Sequence, residues 1–221
     1  MPLTAAMVAQ AMPLWEESLQ APFLQEMAAG TLPTEKFKRY LIQDTLYLKG
    51  FSKAYAYGFI NSEDIRIMRK FYENMNVIMA DESLLHIRYL EGQYGMKEES
   101  VYDLPMEPEN QAYVDFMVET AKTGTAVDTL AAVMPCILSY LYVGRKVKEA
   151  AQAQGTLEGN PYRLWIEEYS SAQYQASCDS VTAFMDEVSV DADAGQWERA
   201  KEIFSISSRH EQAFWDMAYR L

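Results

Sequence analysis

The chain has 221 residues, of which 49% are hydrophobic and 13% aromatic, so it can bury a large core and does not have the composition of a disordered polypeptide. Its net charge of −13 argues against nucleic acid and anionic membrane surfaces as partners. Two cysteines without a CxxC pair do not make a disulfide framework, and we find neither a signal peptide nor an unbroken apolar span. These features predict a cytoplasmic protein without membrane or nucleic-acid partners.

The whole sequence has helical periodicity, without strand-like alternation and without an internal repeat. We predict an all-α fold, a single-domain helical bundle of seven or eight helices that covers residues 1–221. The third helix is long enough to require an internal bend or to be two abutting helices. The predicted helices span about 4–29, 35–58, 62–94, 109–123, 125–154, 161–188 and 194–221.

The most apolar segment, VDTLAAVMPCILSYLYVG, carries Cys136 and Tyr140 four residues apart, which places them on one face of a core helix. Pro135 precedes the cysteine, removes one backbone hydrogen bond and leaves the carbonyl of Ala131 in need of a partner. An ordinary buried helix with a small inert cysteine also explains this segment. The segment alone favours the inert, structural thiol, and a reactive role for Cys136 depends on two carboxylates elsewhere in the chain.

Two carboxylates interrupt otherwise apolar stripes on the second and last helices. Asp44 lies among Phe37, Leu41, Leu48, Phe51 and Tyr55, and Glu211 lies among Trp197, Ala200, Phe204, Ser207, Phe214 and Ala218. Burial of a carboxylate is costly and raises its pKa unless a donor or a cation is near, so both are candidates for proton transfer near neutral pH. Each could instead accept a hydrogen bond from a tyrosine or a helix end in a purely structural role.

Aromatic residues suited to a binding pocket accompany these groups. Tyrosine offers a flat apolar face and a polar rim, which suits a planar, nitrogen-rich heterocycle whose amino groups donate to carboxylates. The available tyrosines are Tyr47, Tyr113, Tyr140, Tyr162 and Tyr169.

The two histidines do not predict a metal centre. Neither His86 nor His210 has the Glu-x-x-His spacing of a helical di-metal site, so we expect no metal and no other cofactor. Cys178, in a polar helical segment, is expected to have no chemical role.

Four segments in order along essentially the entire chain resemble the TenA family, also called thiaminase II. They are GTLPTEKFKRYLIQDTLYL, MPCILSYLYVG, NPYRLWIEEY and SSRHEQAFWDMAYR. The resemblance implies a haem-oxygenase-like fold without haem and a homotetramer. It also implies an aminopyrimidine aminohydrolase of thiamin salvage, with a small pyrimidine as substrate.

The resemblance also implies roles for individual residues. It makes Cys136 the nucleophile, Asp44 the anchor for the pyrimidine's amino group and a ring nitrogen, and Glu211 the proton donor and acceptor. The tyrosines that line the pocket are then Tyr47, Tyr113, Tyr140 and Tyr169. His210 departs from the family pattern, in which an aromatic such as tyrosine is common before the glutamate.

The implied reaction starts with thiolate addition to the pyrimidine ring and ends with 4-amino-5-hydroxymethyl-2-methylpyrimidine. Its substrate is 4-amino-5-aminomethyl-2-methylpyrimidine or thiamin, and the sequence does not choose between them. Two other functions stay open: a catalytically inactive pyrimidine-binding or regulatory protein, and an oxidase on the same helical scaffold.

Overall fold

The structure is a computed structural model that describes residues 2–220, apart from the side chains of 81–85. Within this part of the chain the regular structure is entirely helical, which confirms the predicted fold class. The helices are α1 (Leu3–Ser18), α2 (Pro22–Ala29), α3 (Thr34–Ile60), α4 (Ile65–Val77), α5 (Ser83–Tyr94), α6 (Glu98–Tyr102), α7 (Pro108–Thr123), α8 (Ala126–Gln154), α9 (Arg163–Tyr169), α10 (Ala172–Val188) and α11 (Ala194–Arg220), and a π-helical turn (Ile78–Glu82) joins α4 to α5.

The described chain has more helical segments than predicted because three predicted helices are interrupted and a short helix, α6, forms where the sequence predicts a loop. The first ends at Ser18 and restarts at Pro22, a residue favoured in the first turn of a helix. The predicted bend in the third helix is the π turn, where the hydrogen-bond ladder is locally wider. The helix predicted from Pro161 is two segments, α9 and α10, and α10 is capped by Ser171, whose hydroxyl accepts from the Tyr174 amide.

α8 is the central helix and contacts α1, α2, α3, α7, α9, α10 and α11. Among the described helices it is the one long and apolar enough to cross a membrane, but 78% of its most apolar stretch is buried inside the protein. Contact with seven other helices accounts for this apolar composition.

Two local features hold neighbouring helices against α8. The Ser207 hydroxyl on α11 donates to the carbonyl of Ala132 at 2.8 Å, one residue beyond the Ala131 carbonyl singled out from the sequence. At Gly144 a Cβ atom would lie 2.8 Å from the Tyr169 Cβ, a distance that real side chains do not reach. Gly144 thus allows the end of α9 to approach α8 closely, which places Tyr169 beside Tyr140.

Candidate active site

Asp44 is buried in the middle of α3, as its apolar stripe predicts, with 4% of its surface exposed. Tyr40 lies one turn earlier on the same helix, and its hydroxyl donates to Asp44 Oδ2 at 3.1 Å. On α5, His86 Nδ1 lies 3.7 Å from the same oxygen. The carboxylate therefore has polar neighbours on two helices.

Glu211 is buried to a similar degree on α11, with 3% of its surface exposed. The Tyr113 hydroxyl from α7 donates to its Oε1 at 2.7 Å, and the side chain is also hydrogen-bonded with Cys136 from α8. Burial raises the pKa of Glu211 from 4.5 to about 7, although both hydrogen bonds act to lower it. At neutral pH this carboxyl group is poised to take up or release a proton.

Cys136 is half-buried rather than sunk in the core as the sequence predicts. The contrast with Cys178 is large, since the Cys178 thiol is buried, donates to the Ile137 carbonyl at 3.5 Å and has a pKa raised to about 12 by burial. Partial exposure is typical of a reactive thiol, and deep burial is typical of an inert one.

The predicted tyrosines lie in two groups. The Tyr47 ring packs on Tyr113, with the ring centroids 5.0 Å apart, on the Glu211 side of the site. The Tyr140 ring packs on Tyr169 at 4.9 Å, and its hydroxyl is 3.3 Å from that of Tyr40, on the Asp44 side. The structure thus brings four of the five candidate tyrosines together in these two groups, whereas the hydroxyl of the fifth, Tyr162, donates to the Leu32 carbonyl.

Tyr140 connects the two sides electrostatically. Burial raises its pKa well above the ordinary value, and the negative charges of Asp44, Glu211 and Cys136 raise it further. All three chemically active candidates are therefore close enough to act on one phenol. Whether they also share a cavity that holds a pyrimidine ring remains a prediction.

Sequence reasoning missed Tyr40 and its partner Trp165 as site residues. Trp165 Nε1 donates to the Tyr40 hydroxyl at 3.1 Å. The signal for Tyr40 was its position four residues before Asp44, which places it on the same face of α3. The apolar stripe counted on this helix does not include Tyr40.

Both histidines lie beside the carboxylates. His86 is buried, and burial lowers its pKa to about 4, so the imidazole is neutral at pH 7 although its distance to Asp44 would suit an ion pair. His210 stacks on Tyr113 with ring centroids 5.1 Å apart and nearly parallel planes. Its pKa is lowered by burial, so it supplies an aromatic face rather than a charge.

The candidate site is neither the surface groove of the protein nor a group of metal ligands. A surface groove of about 410 Å³ between α1, α8 and α10 is lined by residues such as Trp15, Leu138 and Arg145 and contains none of the candidate site residues. Among the described residues, no three His, Cys, Asp or Glu side chains are grouped as metal ligands would be.

The whole chain is similar to known proteins. It is 30% identical over 207 residues to the aminopyrimidine aminohydrolase of Helicobacter pylori, covering 94% of each chain. It is also 30% identical over 219 residues to the aminopyrimidine aminohydrolase of Halalkalibacterium halodurans, covering 99% of this chain and 96% of the relative.

Solved structures give the same result for the fold. A protein from a Silicibacter species, described as a TenA family transcription regulator, superposes with a TM-score of 0.88 at 30% identity, over 99% of this chain and 97% of that one. A domain from Shewanella denitrificans described as having a heme oxygenase-like fold gives a TM-score of 0.79 at 16% identity, over 98% and 92% of the two chains. This second likeness concerns the fold alone and confirms the predicted haem-oxygenase-like architecture. A family model described as the TENA/THI-4/PQQC family matches residues 8–221, and the chain belongs to that family.

Proposed function

We propose that the protein is an aminopyrimidine aminohydrolase of the thiaminase II type, which acts in thiamin salvage. The observation that carries the proposal is the half-buried Cys136 thiol hydrogen-bonded to Glu211, a carboxyl group whose pKa is about 7. A thiol needs a nearby base to become a nucleophile at neutral pH, and a leaving amine needs a nearby acid. The names of the Helicobacter and Halalkalibacterium relatives support the same reaction class.

The first half of the reaction uses Glu211 as a base and then as an acid. The Glu211 carboxylate accepts the Cys136 proton, and the thiolate adds to the ring carbon next to the one that bears the aminomethyl group. The ring loses its aromaticity, and the bond from the exocyclic methylene to the amine breaks. Glu211 gives its proton to the departing amine, which leaves as ammonia.

The second half restores the ring. Water adds to the exocyclic methylene and gives its proton to Glu211. The Cys136 thiolate is then expelled, the ring regains its aromaticity, and the thiol recovers the proton from Glu211. The net reaction replaces the amino group of 4-amino-5-aminomethyl-2-methylpyrimidine by a hydroxyl. Thiamin would react by the same two additions, but its quaternary nitrogen leaves as neutral thiazole without a proton, so Glu211 keeps the Cys136 proton for the final step and the proton from water is released to solvent.

The remaining candidates hold the substrate. Asp44 accepts hydrogen bonds from the amino group and a protonated ring nitrogen, which favours the electrophilic form of the ring. Its buried carboxylate is suited to a cationic or strongly donating heterocycle. Tyr47, Tyr113, Tyr140 and Tyr169 supply aromatic faces on both sides of the site.

The test is detection of 4-amino-5-hydroxymethyl-2-methylpyrimidine from the aminomethyl pyrimidine and from thiamin, with the two rates compared. Cys136→Ala is expected to lower turnover roughly 1,000-fold or more while product binding persists, because the nucleophile is lost and the pocket is not. Cys178→Ala is the matched control, since its inert thiol lies outside the site. Near wild-type hydrolysis of both substrates by Cys136→Ala would refute the covalent scheme.

A second candidate function is a pyrimidine-binding regulator without turnover. The description of the Silicibacter relative as a transcription regulator favours it. Net charge of −13 opposes direct contact with DNA, so such a regulator would act through another protein. Tight pyrimidine binding by the wild-type protein without any product would favour this function over hydrolysis.

The expected homotetramer is also part of the proposal. Tyr72, Val77 and Met79, on α4 and the π turn, are each more than half exposed, which is unusual for large apolar side chains grouped on one segment. Their burial between subunits would explain this surface. Light scattering is expected to give four times the chain mass of 25.3 kDa. A monomer mass would contradict the proposed assembly.

A further inference from the structure

The Tyr40 hydroxyl lies at a junction of three polar side chains from three helices. It is 3.1 Å from Asp44 Oδ2 on its own helix, 3.1 Å from Trp165 Nε1 on α9 and 3.3 Å from the Tyr140 hydroxyl on α8. Tyr40 is fully buried, with none of its surface exposed. Water therefore does not compete for these hydrogen bonds.

Counting donors and acceptors fixes the direction of each bond. A phenol has one hydrogen to donate and can accept two hydrogen bonds, and an indole nitrogen can only donate. Trp165 therefore occupies one lone pair of the Tyr40 oxygen, and the Tyr140 hydroxyl can occupy the other. An ionised carboxylate only accepts, so the Tyr40 hydrogen is directed to Asp44.

The shifts in the Tyr40 pKa agree with these directions. Burial and the Asp44 charge raise the pKa well above its ordinary value, whereas the hydrogen bonds with Tyr140 and Trp165 lower it. A donor lowers the pKa of a phenol because it stabilises the phenolate oxygen. Trp165 and Tyr140 therefore act as donors to Tyr40, and Tyr40 acts as the donor to Asp44.

Other titratable groups also lie around Asp44. His86 faces Asp44 from α5, but its imidazole is neutral near pH 7 and its Nδ1 has no hydrogen-bond partner among the described residues. Tyr140 faces it from α8 and is itself bonded to Tyr40. Glu211 on α11 and Tyr113 on α7 are bonded to one another, and the Glu211 charge also acts on Tyr140.

We propose that Tyr40, oriented by Trp165, is a positioning residue that holds the Asp44 carboxylate ionised and in a fixed orientation for the amino group of the pyrimidine. The proposal rests on the proposed function only for the identity of the ligand. Trp165 fills a lone pair of the Tyr40 oxygen, which leaves the Tyr40 hydrogen directed at Oδ2. A carboxylate fixed in this way meets its ligand without rearranging first.

The deciding experiment titrates the Asp44 carboxyl group by carbon NMR in the ligand-free protein, with the resonance assigned by its loss in Asp44→Asn. Tyr40→Phe removes the donor to the charged form, so the Asp44 titration midpoint is expected to rise by about one pH unit or more. Trp165→Phe keeps the Tyr40 hydroxyl but frees its orientation, so a smaller rise in the same direction is expected.

Tyr162→Phe is the matched control. Tyr162 is another buried tyrosine, and its hydroxyl donates to the Leu32 carbonyl rather than to Asp44. This variant is expected to leave the Asp44 midpoint unchanged. An unchanged midpoint in Tyr40→Phe would overturn the proposal, and if that variant does not fold, an unchanged midpoint in Trp165→Phe would do so.

Kinetics separate positioning from general structural support. Tyr40→Phe is expected to raise the KM for the aminopyrimidine about 10-fold with a smaller change in kcat, because the Cys136 and Glu211 steps are left in place. A fall in kcat with unchanged KM would contradict the positioning role. If the wild-type protein makes no product, the proposed hydrolase function fails, whereas the ligand-free titration still decides the role of Tyr40.

Discussion

The two buried carboxylates of the candidate site, Asp44 and Glu211, have different surroundings. Asp44 accepts a hydrogen bond from Tyr40, which is oriented by Trp165. Glu211 is bonded to Tyr113 and to the Cys136 thiol, and its pKa is raised to about 7. Equal burial can therefore serve two purposes: a carboxylate held in place by oriented donors suits binding, and one with a pKa near neutral pH suits proton transfer.

The largest expected effect is on turnover at the Glu211 side. Glu211→Gln keeps an acceptor for Tyr113 but cannot exchange a proton, so kcat is expected to fall roughly 100- to 1,000-fold. Glu202→Gln, on the exposed side of the same helix, is the matched control and is expected to keep full activity. Wild-type kcat in Glu211→Gln would show that Glu211 does not transfer the proton in the reaction.

The pH dependence of stability provides a second test. Because the folded-state pKa of Glu211 lies above its ordinary value of 4.5, its contribution to the free energy of unfolding is fully present below pH 4.5 and is lost as the pH rises to about 7. His86 has the opposite effect, since its lowered pKa of about 4 makes stability rise with pH towards 6.5. The two effects therefore oppose one another in the wild-type protein.

Glu211→Gln removes the contribution of Glu211 to the pH dependence of the free energy of unfolding. Between pH 4.5 and 7.5 the stability of the variant is expected to rise relative to wild type by about 3 kcal/mol. Denaturant unfolding of both proteins across this range measures the difference. A difference that does not change with pH would mean that Glu211 ionises normally in the folded protein.

A smaller effect is expected at Tyr113. Its hydrogen bond lowers the pKa of Glu211, so Tyr113→Phe should raise that pKa above about 7. The limb of the kcat–pH profile that reports the ionisation of Glu211 is then expected to move to higher pH. The rate at neutral pH is expected to change only several-fold, about the effect of one hydrogen bond. Tyr162→Phe serves again as the control, and a limb that moves to lower pH would contradict the assignment.

Much of the architecture follows from helical periodicity. The stripe on α3 that contains Asp44 and the stripe on α11 that contains Glu211 are buried as predicted, apart from the half-buried Trp197. Periodicity identifies faces, but it does not locate every interruption. The break between α1 and α2 and that between α9 and α10 depend on local hydrogen bonds at Ala21 and Ser171 that leave no strong signal in the sequence.

The candidate site was less predictable than the fold. The carboxylates stood out because they interrupt apolar stripes. Nothing in the sequence pattern indicates that the polar atoms of Tyr40 and Trp165 meet. The exposure of Cys136 also depends on how α8 is covered by its neighbours, which a pattern along one helix does not reveal. The directions of hydrogen bonds between distant segments required the three-dimensional arrangement.

The most direct test of the division between the two carboxylates is equilibrium binding of 4-amino-5-hydroxymethyl-2-methylpyrimidine to Asp44→Asn and Glu211→Gln, measured side by side by calorimetry. Asp44→Asn is expected to weaken binding roughly 10- to 100-fold, because an acceptor for the amino group is lost. Glu211→Gln is expected to bind within about threefold of wild type, because its proton acts only during the reaction. Equal losses in the two variants, or wild-type affinity in Asp44→Asn, would contradict the account.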